Sequence, residues 1–266
     1  MDYLGMTSDD LESRQAIHTA REITQQPSLW LDIYDRVKSK TKEIKDFFGD
    51  SMGETQRILL TGAGTSAFIG LSLQGSYFRN LGKHTQAVPT TDLVSHPYDY
   101  IAPEDHIILI SFARSGNSPE SIAAAEIADR ISKRAHHIII TCDSNGKLAS
   151  FHTKSKKLVI TLPPESNDKG LAMTSSYTGM LLTGLLVARI HEIDELSSQV
   201  KHLTHYANKV INNEYQMLRQ LAEQPFSRAV FLGSGPLFGT ATEAHLKLQE
   251  LTDGQVICKK DSYLGF

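Results

Sequence analysis

The sequence predicts an α/β chain, with a doubly wound parallel sheet of about five strands, helices ahead of it, and the start of a second α/β unit behind it. Between residues 57 and 165, five short apolar runs rich in β-branched residues each end in Gly, Ser, Thr, Asp or Pro: RILLTGAG, HTQAVPTTD, HIILISFARSG, HHIIITCDSNG and KKLVITLPPE. Such runs are the pattern of buried strands closed by turns. Helical stretches separate most of them, and this alternation folds as right-handed βαβ crossovers that cover a parallel sheet on both faces.

Taken in order, residues 7–48 carry apolar positions at helical spacing, with a break expected at Gln26-Pro27-Ser28, so residues 1–50 read as a helical N-terminal arm. Residues 51–192 hold the five runs and, over 170–190, a buried helix. Residues 193–226 read as one long amphipathic connecting helix, free of Gly and Pro until Pro225. RAVFLGSGPLFGTA at 228–241 then echoes RILLTGAGTSAFIG at 57–70, with Gly62 and Gly233 standing 171 residues apart. Residues 227–266 are expected to begin a truncated second copy, because roughly 40 residues cannot close a core of this architecture by themselves. A strand-helix appendage on the first unit is the other reading of that segment.

Composition limits the function classes. In 266 residues, 27 Lys and Arg stand against 30 Asp and Glu, a net charge of −3, so the chain lacks the global basic field of nucleic-acid binders. No run approaches the ~20 apolar residues of a membrane span. The acidic, polar N-terminus lacks the layout of a signal peptide, and a soluble cytoplasmic protein is expected. The two cysteines, Cys142 and Cys258, are expected as reduced thiols, Cys142 at a strand end near the core. No His, Cys and carboxylate cluster has ligand spacing, so neither a metal nor another cofactor is expected.

In TGAGTSAFIG, Gly62 and Gly64 allow the tight turn and close backbone approach of a strand-to-helix phosphate loop, and Thr65 and Ser66 fall where a helix begins. Their hydroxyls and the unpaired helix N–H groups would face an anion together, although a cap accounts for either hydroxyl alone. In SFARSGNSPES, Ser115 and Ser118 bracket Gly116, Pro119 suits a first helical turn, and Arg114 can add charge. Two hydroxyl-rich loops at the carboxyl ends of different strands lie where open α/β sheets bind ligands. Thr174 and Ser175, in the run that opens the next helix, can supply a third set of donors or ordinary capping.

With GAGTSAFIG, SFARSGNSPES and AMTSS in this order, the chain resembles sugar-isomerase (SIS) domain proteins of flavodoxin-like fold, and closely the tagatose-6-phosphate ketose/aldose isomerase and galactosamine-6-phosphate deaminase family. The resemblance implies an enzyme of amino-sugar phosphate metabolism. Thr65, Ser66, Ser115 and Ser118 would hold the sugar phosphate, with Asn117 and backbone amides assisting. Related glucosamine-6-phosphate synthase isomerase domains have a serine where Ala113 stands, one hydroxyl more than here. ATEAHLKLQELTDG looks like the helix on which such isomerases place their base, which makes Glu250 the base and Lys247, three residues earlier, the stabiliser of the enediolate. Read without the family, that helix is amphipathic with Glu243, Lys247 and Glu250 in solvent. The family's ring-opening histidine follows a Gly-Phe pair, and this sequence ends at Gly265-Phe266, so no histidine takes that role by motif.

The resemblance also implies a homodimer or higher homo-oligomer. Two other functions compete with the enzyme. Gly62, Gly64 and Ala67 satisfy the GxGxxA fingerprint of a nucleotide-binding oxidoreductase, but the acidic residue expected at the end of the second strand is absent and Asp92 comes late. A non-catalytic SIS regulator that senses a phosphosugar is the second, and the N-terminal arm offers no helix-turn-helix with a basic recognition helix for it.

Overall fold

The computed structural model describes residues 2–266. A small antiparallel pair, β1 (Asp2–Tyr3) and β2 (Met6–Thr7), leads into α1 (Ser8–Ser13), α2 (Ile17–Ser39) and α3 (Thr41–Ser51). The break expected at Pro27 does not occur. Proline frees the carbonyl four residues earlier, and the Gln26 side-chain amide donates to that Ile23 oxygen at 3.3 Å, so α2 runs through it. The helices of this N-terminal arm pack onto the sheet. Ile33, Val37, Ile44 and Phe48 are buried in one cluster with Ile58, Ile108 and Ile138 of the sheet.

The central unit runs β3 (Arg57–Thr61), α4 (Thr65–Leu81), β4 (His84–Ala87), α5 (Thr90–Ser95), β5 (His106–Ala113), α6 (Pro119–Ile131), β6 (Arg134–Thr141), β7 (Lys157–Thr161) and α7 (Ser175–Ala188). Its five strands are parallel in the order β4-β3-β5-β6-β7. Alternate residues feed opposite faces. Ile58, Leu60, Ile108 and Ile110 join the core under α2, α3, α4 and α7, whereas Leu59, Ile107, Leu109 and Ile139 join the one on the side of α5 and α6. Both faces of β3, β5 and β6 are covered, which is why these strands read as continuous apolar runs. Cys142, just past β6, is buried, and burial pushes its thiol pKa up to about 12, so it is inert at neutral pH.

The strand order reverses at β3, so the loops after β3 and β5 diverge and leave a crevice at the carboxyl edge of the sheet.

The segment expected as one connecting helix is helical but interrupted: α8 (Leu196–Lys209) and α9 (Tyr215–Ala222) are joined by a π-helical turn, Val210–Glu214. Beyond it, β8 (Arg228–Leu232), α10 (Pro236–Leu251) and β9 (Ile257–Asp261) form a strand-helix-strand unit whose two strands pair in parallel, as β3 and β4 do. Its helix packs on α4. A Cβ on Gly239 would lie 2.6 Å from the Phe68 carbonyl oxygen and 2.7 Å from the Ser72 nitrogen, so the contact is backbone on backbone and only glycine fits. Among the described residues no helix is long and apolar enough to cross a membrane.

Candidate active site

The first loop is shaped by glycine. Gly64 caps α4 at φ 53° and ψ −127°, a conformation that residues with a Cβ rarely adopt. At Gly62 a Cβ would lie 2.6 Å from the Ser66 carbonyl carbon, so α4 starts directly against the strand end. Because the cap is Gly64, neither Thr65 nor Ser66 spends its hydroxyl on capping. Both side chains are nonetheless buried.

The second loop turns at Gly116, φ 65°. Ser118 occupies the N-cap of α6 without a side-chain cap bond, its hydroxyl 3.3 Å from that of Ser121. The Ser115 hydroxyl accepts the Asn117 N–H at 3.3 Å. Between the two loops lies a cavity of about 130 Å³, lined by Ser66, Ser115, Ser118, Ser121, Arg114 and Ala113 among others. Its size and four hydroxyls suit a phosphate, with Arg114 supplying the positive charge.

Not every expected donor arrives there. Thr65 points the other way, as described below. Asn117 faces the neighbouring turn, its side-chain oxygen accepting the Lys147 N–H at 3.1 Å, and so braces the loop from outside. Thr174 and Ser175 are already satisfied: the Asp168 carboxylate accepts the backbone N–H groups of Thr174, Ser175 and Ser176 at 2.9, 3.1 and 2.9 Å and the Thr174 hydroxyl at 3.3 Å. The Ser175 hydroxyl donates to the Glu22 carbonyl. An internal carboxylate thus holds the N-terminus of α7 where an anion was expected. Ser121, one turn into α6, was not foreseen, although the SPES run carried it.

Thr65 instead joins α4 to α10. Its hydroxyl donates to Glu243 Oε1 and accepts from Lys247 Nζ, both at 3.1 Å. Lys247 Nζ also lies 3.3 Å from Glu243 and 2.5 Å from Glu250 Oε2. One ammonium therefore bridges two carboxylates on a single helix face. Glu243 and Lys247 do not face solvent as the isolated helix suggested, Glu243 being only 4% exposed. Burial raises its pKa to about 7, against the lowering pull of Lys247 and Thr65, and Glu250 adds to the rise. Its second oxygen, Oε2, is buried without a hydrogen-bond partner. A carboxyl that exchanges its proton near neutrality, a lysine and a second carboxylate are the parts of a proton-transfer site.

Among the described residues no group of three or more His, Cys, Asp or Glu could hold a metal. A wider cavity of about 880 Å³ is an open groove beside Asp129, Arg130, Lys133 and Lys154 near the start of β6. It contains none of the loop hydroxyls, and the small cavity at the carboxyl edge is where the fold places ligands.

Residues 52–189 match the SIS domain family. The chain is 40% identical over 266 residues to the D-galactosamine-6-phosphate deaminase AgaS of Shewanella sp., covering 98% of this chain and 67% of that protein. It is 44% identical to a Streptomyces coelicolor protein provisionally given the same name, over 94% of this chain and 66% of that protein. The tagatose-6-phosphate ketose/aldose isomerase structure from Escherichia coli superposes with a TM-score of 0.81 at 35% identity, over 96% of this chain and 70% of that one. A Clostridium novyi structure provisionally named as such an isomerase reaches 0.97 at 38% identity, over 100% of this chain and 68% of that one. The chain thus spans about two thirds of the length of the curated relatives it matches. A matched domain that fills the central sheet, and relatives this similar over nearly the whole of the chain, establish that it belongs to the SIS-domain family.

Proposed function

We propose that this chain carries the phosphate site and the acid–base helix of a sugar-phosphate deaminase or isomerase, acting on galactosamine 6-phosphate or tagatose 6-phosphate. The observation that carries the proposal is the adjacency of two features at one helix start. Ser66 lines the hydroxyl cavity, and its neighbour Thr65 is bonded to the Glu243–Lys247 pair.

The phosphate would sit between the two loops, held by Ser66, Ser115 and Ser118 with Arg114, and the sugar carbons would extend toward α10. Glu250 is the base that moves a proton between C2 and C1, and Lys247 offsets the charge that develops on the sugar oxygen. Glu243 returns or receives a proton, since its carboxyl is poised near neutrality. With a 2-amino sugar the same transfer leaves an imine at C2, which water hydrolyses to the ketose and ammonia. With a 2-hydroxy sugar it interconverts aldose and ketose.

The reading treats residues 51–192 as a first SIS unit and residues 227–266 as the opening of a second. It includes a homo-oligomer, supported by exposed apolar residues on α8 and α9 such as Leu203, Met217 and Leu221.

Turnover of galactosamine 6-phosphate and tagatose 6-phosphate, with ammonia and ketose assayed separately, tests the proposal. Ammonia release is the expected signature of the deaminase. Binding without turnover of either compound would make the protein a phosphosugar-binding regulator, and failure to bind either would remove the reading altogether.

A further inference from the structure

We propose that the cavity beside Pro236, on the far side of the α4–α10 pair, is a second anion site that takes the phosphate group of a small metabolite and performs no chemistry on it. The internal repeat supplies the first argument. Shifted by 171 residues, Thr65, Ser72, Ser76 and Arg79 fall on Pro236, Glu243, Lys247 and Glu250. The shift works in both directions. Thr65 touches Glu243 and Lys247 across the helix pair, and Pro236 meets Ser72, Ser76 and Arg79 in one cavity of about 290 Å³. That cavity is therefore the symmetry-related copy of the carboxylate–lysine site.

Its chemistry is inverted. Where the first cluster has two carboxylates around a lysine, the copy has two hydroxyls and a guanidinium, so it has no base for proton transfer at the equivalent positions. Asn80, Leu185, Arg189 and Glu192 complete the wall. Glu192 is already neutralised by Arg189, whose Nη2 lies 2.6 Å and Nε 3.0 Å from the same carboxylate oxygen. Arg79 has neither ion pair nor hydrogen bond among the described residues, which leaves one uncompensated positive charge facing the space. Ser72 is 6% exposed, and its hydroxyl lies beside that of Tyr177. A free guanidinium beside two buried serines defines a small anion as the occupant, and a phosphate matches them in charge and in acceptor number. The inference rests on the repeat and the cavity, independent of the reaction proposed for the first site.

Equilibrium dialysis of the intact chain against labelled inorganic phosphate at low ionic strength tests it. Two phosphates per chain are expected. Arg79 is exposed, so Arg79→Gln should fold normally, and circular dichroism checks this. It should weaken one phosphate by about tenfold or more and leave the other in place. Replacing Ser115 and Ser118 by Ala should remove the other and spare the first. Two phosphates that both survive Arg79→Gln, or a single phosphate that survives it, would overturn the second site. Loss on Arg79→Gln with no effect of the Ser115/Ser118 change would keep the second site and refute the first.

Discussion

The loops at 62–66 and 233–237 share a backbone and differ in what they present. Gly64 stands at φ 53° and ψ −127°, and Gly235 at φ 57° and ψ −128°. A Cβ on Gly62 would lie 2.6 Å from the Ser66 carbonyl carbon, and one on Gly233 would lie 2.6 Å from that of Leu237. Even the first turn repeats, with the Ser66 N–H on the Ala63 oxygen at 3.1 Å and the Leu237 N–H on the Ser234 oxygen at 3.2 Å. Yet Thr65-Ser66 becomes Pro236-Leu237, which has no hydroxyl and one N–H fewer, and Leu237 is mostly exposed. The glycines answer to a tight turn from strand to helix, whatever the turn is for. The hydroxyls are what the proposed phosphate site adds to that turn.

The largest expected effect falls on the α10 side of the first site. Glu250→Gln keeps the shape and removes the proposed base, so turnover should fall by ~10²–10⁴-fold with sugar-phosphate affinity nearly unchanged. Steady-state kinetics beside direct binding separates the two quantities, and an equal loss in both would place Glu250 in binding. On the loop side, Ser115→Ala with Ser118→Ala removes charge-assisted hydrogen bonds worth roughly 1.5–3 kcal/mol each, so phosphosugar affinity should drop by about a hundredfold or more. Calorimetric titration reads this directly, and unchanged affinity would mean that the two loops differ in sequence but not in role.

Glu243→Gln should act through pH. The folded carboxyl has its pKa raised from 4.5 to about 7, so between those values the folded chain holds a proton that the unfolded chain has released. Its stability should therefore decline as pH rises through that window and level off above pH 7. Denaturant unfolding at several pH values should show the decline in the parent chain and lose it in Glu243→Gln, and a persisting slope would assign it to another group. The smallest change is expected at the second loop, where Leu237→Ser places a hydroxyl on the position matching Ser66. At an exposed site the stability change should stay within about 0.5 kcal/mol. No phosphate affinity should appear there, because Pro236 still removes a donor. Affinity gained from this one hydroxyl would show that the backbone alone is the cradle.

Much of this was legible because it is local. β3, β5 and β6 announced themselves as β-branched runs since both faces of the sheet are covered, and the glycines of the first loop fixed where α4 begins. What failed to show depended on partners distant in sequence or on one compensating bond. Pro27 looked like a break because nothing in the sequence says that the Gln26 amide folds back to Ile23. Thr174 and Ser175 looked like free donors, since the claim of Asp168 on them depends on how an irregular loop closes. Glu243 looked solvated because the helix that buries it begins 178 residues earlier. The repeat was the one signal that brought α4 and α10 into relation, and the spacing of Glu243, Lys247 and Glu250 on one face was the clue to the cluster.

The glycine contact between α4 and α10 also bears on how the molecule folds. Gly239 can meet the Phe68 and Ser72 backbone only after α4 has been pinned to its sheet, and closing a chain loop of that length costs entropy before any contact repays it. The strand-helix-strand unit at 228–261 pairs only with itself through its two strands, so that docking face is its main anchor. It should dock late in folding and open first under stress, with amides of α10 exchanging faster than those of β5. The Thr65–Glu243–Lys247 cluster would then assemble as the final event of folding, after the loops at 62–66 and 114–118 are already in place.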